Sequence, residues 1–321
     1  MRRWRLAAAV LAAVVLPGSI VSANEITLRA VSAFAEGTQF SKNFERFIDK
    51  VNRDGKGVVQ INYIGGPRAM PPFEVGNAVR TRVVDMANVT GAFYSNLIPE
   101  SDAFKLLGKP MSEQRRNGTW DYLNQLHNAK LNAWYLARQF HNVPFHIYLN
   151  KKIDAIDFTG LKIRVTPVYR DIVQALGGTP INTAPGEVYT ALERGVVDGY
   201  GWPVSGIFDL GWDKVTKYRL EPGFYSVEVN VLVNLDVWKS LSEPQRKILV
   251  DSALWLEGLD SENVAVNNAE RERQAKAGIQ ALDFGPAESK TFVDRANAVA
   301  WDTVIKRAPE LGPKLREVAG N

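Results

Sequence analysis

The sequence predicts an α/β protein of two similar lobes, each built on a parallel sheet. Three observations carry this expectation. The order strand–helix–strand–helix–strand occurs twice, over residues 26–87 and 161–200, which implies right-handed crossovers in parallel sheets. The two occurrences align without gaps at Ala78–Asp85 and Ala191–Asp198, with four identities in eight positions. A helical pattern then runs from Ser242 towards Ala277, long for a single globular helix and long enough to lie across both lobes.

In the first half, Ile26 to Val31 alternates apolar residues as a strand does. Ser41 to Val51 places Phe44, Phe47, Ile48 and Val51 on one helical face. A strand is expected at Val58 to Ile64, a helix at Pro72 to Arg82, and a third strand at Val83 to Ala87, followed by the loop Thr90 to Tyr94. In the second half the strands are Leu161 to Val165, Thr179 to Asn182 and Val196 to Tyr200. The intervening helices, Tyr169 to Leu176 and Glu187 to Arg194, are stopped by Gly177 and Gly195. Val227 to Leu235 reads as a strand that carries the chain between lobes, and Ser242-Glu-Pro-Gln245 as a capping box. These spans predict one lobe from 24–149 and 236–277 and the other from 150–235 and 278–321. Ligands of such folds sit between the lobes, at the carboxyl ends of the strands.

Residues 1–23 read as a secretory signal. A basic start with Arg2, Arg3 and Arg5 precedes the apolar run Leu6 to Leu16, too short to span a bilayer, and Val21-Ser22-Ala23 fits a cleavage site. The rest of the chain has 36 basic against 35 acidic residues, so it lacks the cationic excess that binds nucleic acid. There is no cysteine, which excludes disulfides, thiolate metal sites, a cysteine nucleophile and a lipidated cysteine. An exported, unanchored, cysteine-free chain points to a bacterial periplasm.

No enzyme motif stands out. His127, His141 and His146 are the only histidines, and their spacing does not suit two ligands on one helix face. The stretch Gly199-Tyr-Gly-Trp-Pro203 contains a Gly-x-Gly but not the third glycine of a dinucleotide loop. Arg164 lies off the apolar phase of its strand, at the carboxyl end, where a guanidinium can clamp a carboxylate. Position alone favours a solvated strand arginine. Phe34, Phe93, Tyr94, Tyr200, Trp202, Phe224 and Tyr225 fall at or beyond strand ends in both halves. Core packing accounts for such residues singly; their concentration suggests a binding wall.

Three segments, GLKIRV (160–165), ALGGTPINTAPGEVYTALERGVVDG (175–199) and VLVNLDVWKSLSEPQRKIL (231–249), resemble the DctP-type solute-binding proteins of tripartite ATP-independent periplasmic (TRAP) transporters. The resemblance covers the chain after the signal. It implies the two-lobed periplasmic-binding-protein fold with a long bridging helix, closure on an organic acid, and delivery to membrane permease subunits. It also implies that Arg164 holds the ligand carboxylate and that Trp202 lines the pocket. Gly201 stands where metal-binding relatives carry an acid, so no metal and no cofactor are expected. The lack of an arginine between His141 and Leu149 argues for a monocarboxylate, and the rings for an apolar or aromatic body.

The resulting expectation is a periplasmic receptor, expected to be monomeric, for a small carboxylate. Its site would combine Arg164, Trp202, Tyr200 and Tyr225 with Phe34, Glu36, Thr90 and Tyr94 from the opposite lobe. Two other readings stay open on the residues alone: a secreted two-lobed enzyme acting on an organic acid, and a protein that presents its ligand to a sensor.

Overall fold

Two sheets organise the computed structural model, which describes residues 25–319; the expected signal at 1–23 lies outside the described residues. The first sheet has the order β2 (Val59–Gly65), β1 (Ile26–Ser32), β3 (Met86–Val89), β11 (Val229–Asn234), β4 (Ala133–Gln139). The second runs β12 (Gln280–Leu282), β9 (Tyr218–Leu220), β5 (Pro144–Leu149), β8 (Gly199–Pro203), β6 (Lys162–Val165), β7 (Thr179–Asn182), with β10 (Phe224–Ser226) also paired to β5. The repeated unit has the same layout in both: β1 is parallel to β2 and β3, and β6 is parallel to β7 and β8.

The sheets are mixed rather than purely parallel. β11 runs antiparallel to β3 and β4, and β5 antiparallel to β8 and β9. The crossings therefore fall at 140–143 and 227–228, not at 149–150 and 235–236. The stretch 133–149 reads as one apolar run, and what bends it is backbone: Phe140 and Asn142 adopt left-handed conformations (φ 73° and 62°). The Val227 N–H donates to the Val143 carbonyl (2.9 Å), tying the two crossings together.

The long helical stretch exists but is broken at a third crossing. Helices Glu243–Gly258 and Asn263–Lys276 are joined by the 3-10 turn Leu259–Glu262. Gln245 reaches back to the Ser242 N–H at 2.9 Å, as a capping box requires. At the break, Asp260 accepts from the Phe140 N–H (2.7 Å), while Asn263 and Asn267 donate to the carbonyls of His141 (2.9 Å) and Asn142 (2.6 Å). Farther on, Gln274 donates to the Val204 carbonyl at 2.6 Å and accepts from Arg219, within the second lobe. The C-terminal helices do not belong to the second lobe alone. Pro286–Arg307 packs on both Pro99–Leu106 and Pro167–Ala175, and Gly312–Ala319 packs on Thr119–Leu131.

The short internal repeat is a repeated structural device. Each copy ends a helix with paired reverse hydrogen bonds. In one, the Val83 and Arg82 N–H groups donate to the carbonyls of Ala78 and Val79; in the other, Val196 and Gly195 donate to Ala191 and Leu192. This is the Schellman arrangement, and it places Arg82 (φ 59°) and Gly195 (φ 65°) in left-handed backbone. The following valines, Val83 and Val196, are turned outward, so the strands begin three residues later than their apolar pattern suggests. Each aspartate then brackets the first strand of its unit, β1 or β6. Asp85 exchanges backbone and carboxylate hydrogen bonds with Arg29 (2.9 Å each), and Asp198 does the same with Lys162 (2.7 and 2.9 Å).

Arg82 occupies backbone that favours glycine, at a cost of about 1–2 kcal/mol. Replacing Arg82 with Gly is therefore expected to raise stability by about 0.5–1 kcal/mol, and Gly195→Ala to lower it by a similar amount. Urea unfolding midpoints of the two variants check both signs.

Candidate ligand-binding site

Both sheets point the carboxyl ends of their central strands at one another. The chain leaves β1 into Phe34, β3 into Thr90 and Phe93, β6 into Thr166, and ends β8 on Trp202 and Pro203. These residues enclose an internal cavity of about 40 Å³, completed by Phe40, Phe145, Val168, Tyr169, Val227, Glu228 and Val229. A cavity of about 570 Å³ lies outside it, bounded by Glu36, Arg68, Asp209 and the turn Ala184–Gly186. Phe34, Phe40 and Trp202 line both cavities, so these rings form the partition. Phe40 of the first lobe meets Trp202 of the second edge-on at 5.7 Å, and the Gln39 N–H donates to Asp209 at 2.7 Å. The lobes are thus in contact, with these rings between the two cavities.

Arg164 is fully covered. Its guanidinium donates to the Thr183 carbonyl (2.7 and 3.1 Å) and the Gly201 carbonyl (3.3 Å), and stands 5.9 Å from the Trp202 ring centre. Among the described residues no carboxylate pairs with it. Lys105 and Arg219, also buried, are paired with Asp102 (3.2 Å) and Glu221 (2.6 Å), whereas Arg138, buried in the first lobe, likewise meets only a carbonyl, that of Leu107 (3.0 Å). Burial pulls the Arg164 guanidinium down to about 10, and the nearby Tyr169, Glu187 and Tyr200 offset only part of this. A buried charge that lacks a counter-ion is expensive.

Three more polar groups here are buried without a hydrogen-bond partner: the Trp202 indole N–H, the Tyr169 hydroxyl and the Thr183 hydroxyl. Burial drives the Tyr169 phenol far above its ordinary range, so it stays a donor. Its ring lies flat on the backbone of Gly201, where an added Cβ would come within 2.4 Å of the ring carbons. Gly199 is similarly constrained, by the Tyr148 carbonyl at 2.3 Å. The Gly-x-Gly serves close approach of a strand to its neighbours and cradles no phosphate. Among the described residues no cluster of His, Asp and Glu is arranged to hold a metal ion.

The lobe opposite carries a different group. Glu228 is buried on the cavity wall and accepts from the Thr90 hydroxyl (2.6 Å), the Gly91 N–H (2.8 and 3.1 Å) and Asn230 (2.6 Å). Burial still pushes its carboxyl up to about 7.

Of the residues expected at the site, Phe34, Thr90 and Trp202 line the cavity, and Arg164 stands behind Trp202 rather than on the surface. Glu36 lies exposed at the outer mouth. Three others are elsewhere. Tyr200 is core: it stacks on Tyr148 at 5.0 Å and bonds Thr216 at 2.7 Å, because Trp212 stands between it and Trp202. Tyr94 turns into the first lobe, bonded to His127 (2.9 Å) and Asn230 (3.0 Å), with its side chain against Gly76. Tyr225 bonds the Ala296 carbonyl (2.6 Å), with Lys105 over its ring at 4.9 Å, away from the cavity. Phe40, Phe145, Tyr169 and Glu228 escaped the sequence reading. Tyr169 carried a signal, following Thr166-Pro167 in the first turn of the helix that succeeds the Arg164 strand; Glu228 looked like an ordinary strand residue.

Two lobes that share exchanged strands and shut a polar-tipped cavity between them define a solute-binding protein. Residues 31–307 match the family of bacterial extracellular solute-binding proteins, family 7 (DctP), and the chain belongs to that family. It is 24% identical over 318 residues to solute-binding protein RD1_1052 of Roseobacter denitrificans, covering 94% of this chain and 93% of that one. Among solved structures, the Bordetella pertussis receptor DctP7, which binds pyroglutamic acid, is similar with a TM-score of 0.81 and 18% identity, over 92% of this chain and 100% of that one. A marine-metagenome TRAP solute-binding protein in complex with 3-hydroxybenzoate has a TM-score of 0.77 and 22% identity, over 92% and 97%. The fold is thus that of TRAP solute-binding proteins, a family of receptors.

Adding a methyl group at Gly201 is expected to displace the Tyr169 ring. Gly201→Ala should lower stability by about 1–3 kcal/mol, the usual cost of overpacking, measurable by urea denaturation.

Proposed function

We propose that the protein captures a small ring-bearing monocarboxylic acid in the periplasm and hands it to TRAP permease subunits. The single observation that carries this reading is Arg164: a buried guanidinium with carbonyls but no acid beside it, next to unpartnered donors from Tyr169 and Trp202. An incoming carboxylate would supply the missing charge and accept from that set. The cavity walls beyond it are Phe34, Phe40, Phe93 and Phe145, which suit a flat apolar body. Among the fold neighbours, those from Bordetella pertussis, Desulfovibrio salexigens and the marine metagenome hold pyroglutamate, orotate and 3-hydroxybenzoate, each a ring with one carboxylate.

A dicarboxylate is the second reading, favoured by 30% identity over 152 residues to the C4-dicarboxylate-binding protein DctP of Rhodobacter capsulatus. Against it, no lysine or arginine lines the inner cavity, Arg164 standing behind Trp202, and Arg68 stands only at the outer mouth. Binding and release proceed by hinge motion at the three crossings, with no turnover. Export by the segment 1–23 and a monomeric state complete the reading.

The test is a thermal-shift screen with a panel of ring monocarboxylates, since a ligand that binds only the folded form raises the midpoint. Arg164→Met should leave the ligand-free midpoint unchanged or higher, because it removes an uncompensated buried charge. The same variant should bind the ligand about 30-fold or more weakly, corresponding to roughly 2 kcal/mol or more for a desolvated charged hydrogen bond. Binding within threefold of the unaltered protein would refute the clamp. Conversion of the acid to a product would instead favour an enzyme.

A further inference from the structure

The inner cavity is chemically lopsided. On the second lobe every polar group that faces or backs it can donate: the Trp202 N–H, the Tyr169 and Thr166 hydroxyls, and behind them Arg164. On the first lobe the wall carries one charged group, the Glu228 carboxylate, an acceptor. Its three donors, Thr90, Gly91 and Asn230, all come from its own lobe. A carboxylate offers about four acceptor positions, so one remains. No cation is ion-paired with Glu228 among the described residues; Arg138, whose charge favours its ionised form, donates to the Leu107 carbonyl instead, at 3.0 Å.

An acid with a purely hydrocarbon far end would press that end against a buried carboxylate and leave its remaining acceptor position unfilled. That penalty is what makes polar pockets reject ligands lacking the matching group. We propose that the ligand carries an uncharged N–H or O–H donor on the side remote from its carboxylate, and that Glu228 accepts it as a specificity-determining residue. The inference rests on Arg164 as the carboxylate clamp. An ammonium fits less well, since it presents three donors and finds one acceptor among phenyl rings. Glu228 sits in the 227–228 crossing and is bonded to the first lobe, whereas Arg164 belongs to the second. A ligand held at both ends therefore bridges the lobes and favours the closed form.

Calorimetry on the exported chain with two matched pairs tests this. 3-Hydroxybenzoate is compared with benzoate, and trans-4-hydroxycyclohexanecarboxylate with cyclohexanecarboxylate, each pair differing only in a hydroxyl remote from the carboxylate. In whichever pair binds, the donor-bearing acid should be preferred by about 10-fold or more, and the preference should shrink below threefold in Glu228→Gln. If Glu228→Gln does not fold, Glu228→Asp, which withdraws the carboxylate by one methylene, is expected to reduce the preference too, and the pair comparison needs no variant. Equal affinities within each pair, an undiminished preference in the Glu228 variant, or tighter binding of 3-(aminomethyl)benzoate than of 3-hydroxybenzoate would overturn the proposal. If only donor-free acids bind, and do so through Arg164, the proposal fails while the carboxylate reading stands. If no acid binds in an Arg164-dependent way, both fail.

Discussion

A guanidinium taken out of water must be compensated by something, and the hydrogen-bond partners of Arg164 are backbone dipoles alone. The Thr183 carbonyl faces it from the end of β7 and the Gly201 carbonyl from the middle of β8. Both contacts exist because β6, which carries Arg164, is the central strand between β7 and β8. The charge is held rigidly but left electrically unanswered. Much of the surrounding architecture follows from that. Trp202 and Tyr169 cover the guanidinium, Gly201 has no side chain so that Tyr169 can lie against it, and Trp212 backs Trp202 at 4.8 Å. A buried charge held this way costs stability.

The two lobes present opposite chemistry to the cavity and are held in register by a common rule. In each, the aspartate after the left-handed residue clamps the strand that leads into the cleft: Asp85 holds β1 and Asp198 holds β6. Strand ends that must present Phe34 and Arg164 at fixed positions are thereby fastened near their starts. The same sequence device serves both lobes, while the residues beyond it have diverged into donors on one side and an acceptor on the other.

Much of this was legible in the sequence, and the losses have specific causes. Apolar periodicity located the helix carrying Phe44, Phe47, Ile48 and Val51 and the strand Thr179–Asn182, because each buries one face. It misjudged the onset of β3 and β8, since a Schellman turn spends one valine on solvent before the strand begins. It placed the crossings several residues late, because left-handed Phe140 gives no compositional signal of a bend. Around the cavity, strand phase set Arg164 off the apolar face but favoured a solvated side chain, and only the family resemblance singled out Arg164 and Trp202. Tyr94 and Tyr200 could not be excluded, since a ring's direction depends on partners distant in the chain: Gly76 and Asn230 for one, Tyr148 and Trp212 for the other. Glu228 was invisible for the same reason, as its role depends on Thr90 and Gly91, 138 and 137 residues away.

The exchanged strands have a consequence for how the molecule comes into being. β4 pairs only with β11, which lies between it and β3. Until residues 229–234 emerge, the first sheet consists of three strands, and β4 has no edge to join. The N-terminal lobe is thus completed by a segment made after most strands of the second lobe. Long-range pairings of this kind fold slowly, which keeps the early chain extended for longer. Topology alone thus makes the first lobe wait for a strand encoded beyond most of the second.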